Sequence, residues 1–175
     1  MNIIENPFGD IKLIKKTRHE DERGYFERIY CEEEFKEMGI IESFPQLNLS
    51  YNQKKGTLRG LHFQLEPYEE SKVVQCIRGR IFDVIVDMRQ NEFTYLKWYG
   101  VELSDQMDNM LYVPKGFAHG FQTLEDDCRV LYYMGEKFEK SSQSGVNCFS
   151  PTINIDWPLK DHIIISEKDR KLKCL

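Results

Sequence analysis

The chain has no CxxC pair, and its five cysteines, Cys31, Cys76, Cys128, Cys148 and Cys174, are odd in number and widely spaced. Neither a disulfide framework nor a cysteine zinc site is suggested, and a reducing compartment fits best. No apolar run approaches the roughly 20 residues of a membrane span. The amino-terminal stretch MNIIENPFGDIKLIKK places an acid and a proline where a secretory signal needs an apolar core. The expectation is a soluble, unexported, cytoplasmic protein with no membrane partner. A basic patch is also missing: the formal net charge of -5 is spread over mixed-sign segments, which argues against nucleic acid as a partner. No GxGxxG segment joins a strand to a helix, so no nicotinamide cofactor is expected. Repeats, low-complexity tracts and linkers are absent, and 175 residues suit one domain spanning 1-175.

What the chain does contain is frequent punctuation by glycine and proline, which favours many short strands. The candidates are Ile11 to Lys16, Pro45 to Ser50, Thr57 to Gln64, Val73 to Ile77, Arg80 to Met88, Lys97 to Leu103, Met110 to Val113, Gly116 to Thr123 and Arg129 to Met134. Only CEEEFKEMG, Cys31 to Gly39, reads as a helix, with acids in its first turn and a glycine at its end. An all-β sandwich or barrel with a few short peripheral helices follows.

Two spacings refine that expectation. YVPKGFAHGFQT, Tyr112 to Thr123, has the pattern P-x-G-x-x-H and resembles the second signature of the cupins, small jelly-roll barrels. The first cupin signature usually offers HxH, then a glutamate, then a glycine. Here those places hold His62 and Gln64, then Lys72, then Gly79. An ammonium among the ligands repels a divalent cation, so a barrel without a metal is expected. His62, His119, Lys72 and nearby arginines then leave acid-base chemistry available. Taken singly, a histidine in a strand is more often structural and a lysine more often solvated.

Six motifs occur together and in order: DERGYFERIY (Asp21 to Tyr30), Gln46-x-Asn48, TLRGLHFQ (Thr57 to Gln64), IFDVIVDMR (Ile81 to Arg89), VPKGFAHGF (Val113 to Phe121), and IDWPL with ISEKD. In these the chain resembles the dTDP-4-dehydrorhamnose 3,5-epimerase family along nearly its whole length. The resemblance implies a cupin homodimer that needs no cofactor. Its substrate would be a nucleotide-linked 4-keto-6-deoxyhexose of deoxysugar and rhamnose biosynthesis, inverted at carbons beside the ketone. It further implies that His62 is the base and Asp169 its partner, that Lys72 faces the sugar ketone, and that Tyr132 reprotonates from the opposite side. Arg23 and Arg59 would hold the diphosphate, and Gln46, Asn48 and His119 would line the site. The amino-terminal strands would cross to a partner subunit, carrying Arg23 and Phe26 into its pocket.

The chemistry is consistent with that assignment. A proton beside a ketone is acidic because the resulting anion spreads onto oxygen as an enolate, so a base, an oxyanion partner and an opposed acid are required. Asp83 is expected to orient Lys72. Strict alternation puts Arg59 and His62 on opposite strand faces, and a bulge at Gly60 resolves the conflict. Two departures from the family pattern concern the nucleotide base: Arg28, beside Glu27, replaces a thymine-contacting glutamate, and Lys137 and Phe138 replace paired tyrosines. Phe138 retains a face for base stacking. Arg28 suits carbonyl and ring-nitrogen acceptors. A thymine nucleotide is preferred, with GDP- or CDP-linked sugars as alternatives. A non-catalytic sugar-binding cupin and a metal-dependent cupin isomerase or dioxygenase are the other classes, the latter disfavoured by Gln64 and Lys72.

Overall fold

Every strand expected from the glycine and proline punctuation is present in the computed structural model, which describes residues 1-175. In chain order the strands are β1 (Asn2–Glu5), β2 (Lys12–Lys15), β3 (Arg18–Asp21), β4 (Gly24–Glu27), β5 (Gln46–Asn52), β6 (Thr57–Gln64) and β7 (Lys72–Arg78). They continue with β8 (Arg80–Asp87), β9 (Trp98–Ser104), β10 (Asn109–Val113), β11 (Phe117–Thr123), β12 (Cys128–Met134), β13 (Gln143–Gly145) and β14 (Ile164–Ile165). The helices are α1 (Glu32–Glu37), inside the expected segment, and α2 (Glu167–Arg170), which begins at a Ser166 cap.

Two sheets face each other. One has the order β1-β2-β10-β7-β12-β5, the other β13-β6-β11-β8-β9 with β14 beside β6, while β3 and β4 form a separate hairpin. All pairings are antiparallel except that of β14 with β6. From β5 to β12 the chain passes from one sheet to the other at every connection except β8 to β9, as in a jelly roll, and each long strand turns one set of alternate residues inward. Val74, Cys76, Leu111 and Val130 from the first sheet meet Ile81, Ile85, Phe117 and Phe121 from the second in the buried interior. Truncating Phe121 to alanine there is expected to cost about 3–5 kcal/mol.

The outer faces are covered differently. Phe35 of α1 and Ile40 pack over Ile14, Val73 and Tyr133 of the first sheet. The carboxy-terminal segment folds Val146, Cys148, Ile153 and Trp157 onto the second. This second covering returns the chain to β6 and brings α2 against it, a long-range consequence of burying the apolar outer face of β6, β8 and β11. No helix is long and apolar enough to cross a membrane.

Candidate active site

Following the inward-facing residues along each strand, the interior changes from apolar to polar. On β12, Cys128 and Val130 lie in the core, and the next inward residue is the half-buried Tyr132. On β7, Cys76 and Val74 give way to Lys72, and on β11, Phe121 gives way to His119. The polar end opens as a cavity of about 510 Å³ lined by Gln46, Asn48, Arg59, His62, Lys72, His119, Tyr132, Phe138 and Asp169 among others. Nine sequence-predicted residues therefore meet in one place. Tyr132, Lys72, Gln46 and Asn48 come from the first sheet, and His62, Arg59 and His119 from the facing one.

The β6–β11 pairing explains how Arg59 and His62 share the cavity. His119 pairs with His62 and Phe121 with Arg59, so two steps on β11 oppose three on β6. The extra residue is a bulge over Gly60 and Leu61, as alternation required. Gly60 has φ +113°, and a Cβ there would lie 2.7 Å from both the Gly120 Cα and the His119 carbonyl oxygen. Only glycine fits this close approach. Arg59 then donates through Nε to Asn52 Oδ1 at 2.7 Å.

The same bulge serves the histidine. His62 Nε2 lies 2.7 Å from Asp169 Oδ1, and the Gly60 N–H donates to Asp169 Oδ2 at 3.3 Å. Asp169 is on α2, which Ser166 caps: the Asp169 N–H donates to Ser166 Oγ at 3.0 Å. Burial pushes the Asp169 carboxyl up, but the hydrogen bond and charge of His62, the Gly60 N–H and the Ser166 side chain hold it below the usual aspartate value. An ionised Asp169 accepts, so Nε2 carries the hydrogen and Nδ1 is the proton-accepting nitrogen. The His62 side chain is 35% exposed, against 7% for Asp169, which leaves the imidazole accessible from the cavity.

His119 makes a second such pair, with Nε2 2.8 Å from Asp83 Oδ1. Here complete burial pushes the Asp83 carboxyl above its usual value, against the pull of His119 and of the Lys72 charge. The expectation that Asp83 orients Lys72 is therefore corrected. Lys72 Nζ donates to Glu70 Oε1 at 2.7 Å, and both side chains are buried at the cavity wall. Glu70 went unrecognised because, in the acidic run YEES, it reads as a solvated charge. Gln143, which also lines the cavity and accepts from Lys168 Nζ at 2.7 Å, was missed too, since a three-residue strand has no legible period.

Burial pushes the Tyr132 hydroxyl far up, and the Asp83 charge adds to this while Arg59 opposes it. The phenol stays protonated at neutral pH and can donate. Its ring meets His119 edge-on at 6.0 Å between centroids.

Three expected contacts are not brought to this cavity within the chain. Arg23 and Phe26 stand on the β3–β4 hairpin, where the Arg23 side chain is 89% exposed and Phe26 is 72% exposed. Arg28 pairs with Glu34 at 2.6 Å instead. Nor is Glu27 free to take the place of the missing thymine contact, because it faces inward and accepts from Lys16 Nζ at 2.8 Å.

The metal-free expectation concerns the cupin ligand places, where the imidazoles each keep one ring nitrogen but Gln64 and Lys72 offer no open ligand atom. His62 and His119 each bond an aspartate, the Gln64 carboxamide bonds backbone, and Lys72 contributes an ammonium. No group of three or more histidine, cysteine, aspartate or glutamate side chains is arranged to hold a metal ion.

A jelly-roll barrel with polar groups converging from both sheets on one cavity is the architecture of a cupin. The family model for dTDP-4-dehydrorhamnose 3,5-epimerase matches residues 5–175, and the chain belongs to that family of epimerases. The dTDP-4-dehydrorhamnose 3,5-epimerase of Methanothermobacter thermautotrophicus is 47% identical over 165 residues, covering 93% of this chain and 88% of that protein. A Bacillus anthracis dTDP-4-dehydrorhamnose 3,5-epimerase, solved with TDP and PPi bound, matches with TM-score 0.97 at 40% identity over 99% of both chains. A Legionella pneumophila dTDP-6-deoxy-D-glucose-3,5-epimerase, solved with dTDP-4-keto-L-rhamnose, matches with TM-score 0.94 at 36% identity over 99% of this chain and 92% of its own.

Proposed function

We propose that this chain epimerises a nucleotide-linked 4-keto-6-deoxy sugar of the dTDP-4-keto-6-deoxyglucose type at C3, C5 or both, by proton transfer through an enolate. His62 Nδ1 removes the proton beside the C4 ketone, and Asp169 stabilises the imidazolium that results. Lys72, fixed by Glu70, places an ammonium where negative charge develops on the ketone oxygen. Tyr132 returns a proton from the other wall, and inversion follows because removal and return occur on opposite faces of the sugar. The observation that carries this reading is that His62 and Tyr132 project from facing sheets into one cavity.

Arg59 is placed to hold phosphate, for which a guanidinium offers two donors at once. Phe138, 54% exposed at the rim, offers a stacking face for the base. The ligands named for the Bacillus and Legionella relatives belong to the same chemical class. The site requires no resident metal or nicotinamide, since the enolate is stabilised by fixed charge and the reaction is redox-neutral. A homodimer in which the β3–β4 hairpin delivers Arg23 and Phe26 to the partner's cavity is supported by their exposure and by the exposed Leu47, Leu49 and Tyr51 on edge strand β5. The five free cysteines suit the cytoplasm.

The test is incubation in deuterated water with dTDP-, GDP- and CDP-linked 4-keto-6-deoxysugars. Deuterium entering C3 or C5 of the dTDP sugar together with inversion supports the reading. No exchange with any of the three contradicts it and leaves a sugar-binding cupin without turnover.

A further inference from the structure

Gln64 lies two residues beyond His62 on β6, where a metal-binding cupin offers its second imidazole, and is 4% exposed. Its carboxamide is used in another way. Nε2 donates to the Tyr68 carbonyl at 2.9 Å and to the Lys137 carbonyl at 3.3 Å, while Oε1 accepts from the Glu139 N–H at 2.7 Å. These partners are backbone groups of two different loops. Residues 65–71 join β6 to β7 and contain Glu70, and residues 135–142 join β12 to β13 and contain Phe138.

The loops already meet at both ends, where the Gly135 N–H donates to the Ser71 carbonyl at 2.8 Å and the Leu65 N–H to the Ser142 carbonyl at 2.9 Å. Farther out, the Phe138 N–H reaches Gln46 Oε1 only at 3.4 Å. Between those two end contacts, Gln64 is a side chain that ties the middle of both loops to a core strand. Loop ordering is a direct cost of ligand binding, so a brace that holds the rim in place before binding lowers that cost.

We infer that Gln64 is a positioning residue that preorganises the nucleotide-binding rim, holding the Phe138 platform against the loop that bears Glu70. It acts through backbone and touches no reacting atom. The Phe138 half of this inference rests on the nucleotide reading above.

Two measurements test it. The first is amide hydrogen exchange on ligand-free protein, comparing wild type with Gln64→Met, which keeps side-chain length and removes all three bonds. Exchange across 66–70 and 136–139 should rise about tenfold, on the scale of one lost net hydrogen bond, with β11 unchanged. In Gln64→Glu the acceptor for the Glu139 N–H remains, so 66–70 should open more than Glu139. Unchanged exchange in both variants overturns the brace. The second is TDP binding in a double-mutant cycle with Phe138→Ala. Gln64→Met should weaken TDP about tenfold and raise KM with it, while kcat changes less than about threefold. In the Phe138→Ala background the loss of affinity should shrink to below about twofold. An equal loss in both backgrounds overturns action through Phe138. If wild type does not bind TDP, the nucleotide platform falls, and the exchange measurement still decides the brace.

Discussion

Two histidines on neighbouring strands of one sheet each bond an aspartate at nearly equal distance, 2.7 Å for His62–Asp169 and 2.8 Å for His119–Asp83. Their surroundings differ. Asp169 also receives the Gly60 N–H and is held below its usual value, whereas Asp83 is wholly buried, is pushed above it, and leaves Oδ2 without a partner. His62 is accessible from the cavity and His119 is 5% exposed. Contact distance alone therefore does not assign the proton. The number of donors to the carboxylate and the depth of burial distinguish the two pairs, and the proposed assignment of His62 as the base rests on that difference.

The sharpest break in this comparison is expected from replacing each histidine by asparagine. His62→Asn should lower turnover by about 10³-fold, within the range for a positioned base, and His119→Asn by only about tenfold. Steady-state epimerisation of the dTDP sugar measures both, and equal losses would erase the distinction. Next in size, Tyr132→Phe should reduce inversion by about 10²-fold. Deuterium should still enter the unepimerised sugar, because His62 can return the proton to the face it came from. Inversion at the wild-type rate in this variant would make Tyr132 a packed aromatic.

Smaller effects come from the carboxylates. Asp169→Asn keeps the base but removes its charge partner, and it should slow exchange by about 10–10²-fold, more than Asp83→Asn does. Stability should separate them with a pH dependence of opposite sign. Because the Asp169 value is depressed, its stabilisation is present above the usual value of 3.8 and is lost as pH falls through its lowered value. The Asp83 value is raised, so its ionisation opposes folding as pH climbs above 3.8 towards the raised value. In urea melts at neutral pH, Asp169→Asn should therefore cost about 1–2 kcal/mol, and Asp83→Asn less than that. Melts at pH 3 and 7 check the two directions.

Much of the fold was legible because glycine, proline and turn residues bound the nine expected strands, and because Cys31 to Gly39 carries helix signals. The bulge was legible as well, from a glycine lying between two residues that had to share a face. What escaped were β1 and the β3–β4 hairpin, which are as short as β2 but bury no residue, and the two- and three-residue strands β14 and β13, too short for a period to register. Asp169 lies 107 residues from His62, and only the packing of the carboxy-terminal segment on the second sheet joins them. Resemblance supplied that partner, whereas spacing could not. The Lys72 partner was misjudged for a related reason. Asp83 sits near enough for the lysine charge to act on it, but the hydrogen bond goes to Glu70, two residues away along the chain.

The most direct test of the difference between the pairs is a carboxyl-detected NMR titration of the ligand-free protein. The Asp83 and Asp169 signals would be assigned by their loss in Asp83→Asn and Asp169→Asn. Asp169 should titrate below the usual aspartate value of 3.8 and Asp83 above it. If Asp83 titrates at or below Asp169, burial and donor count do not separate the two pairs, and the assignment of His62–Asp169 as the proton-accepting pair loses its physical basis.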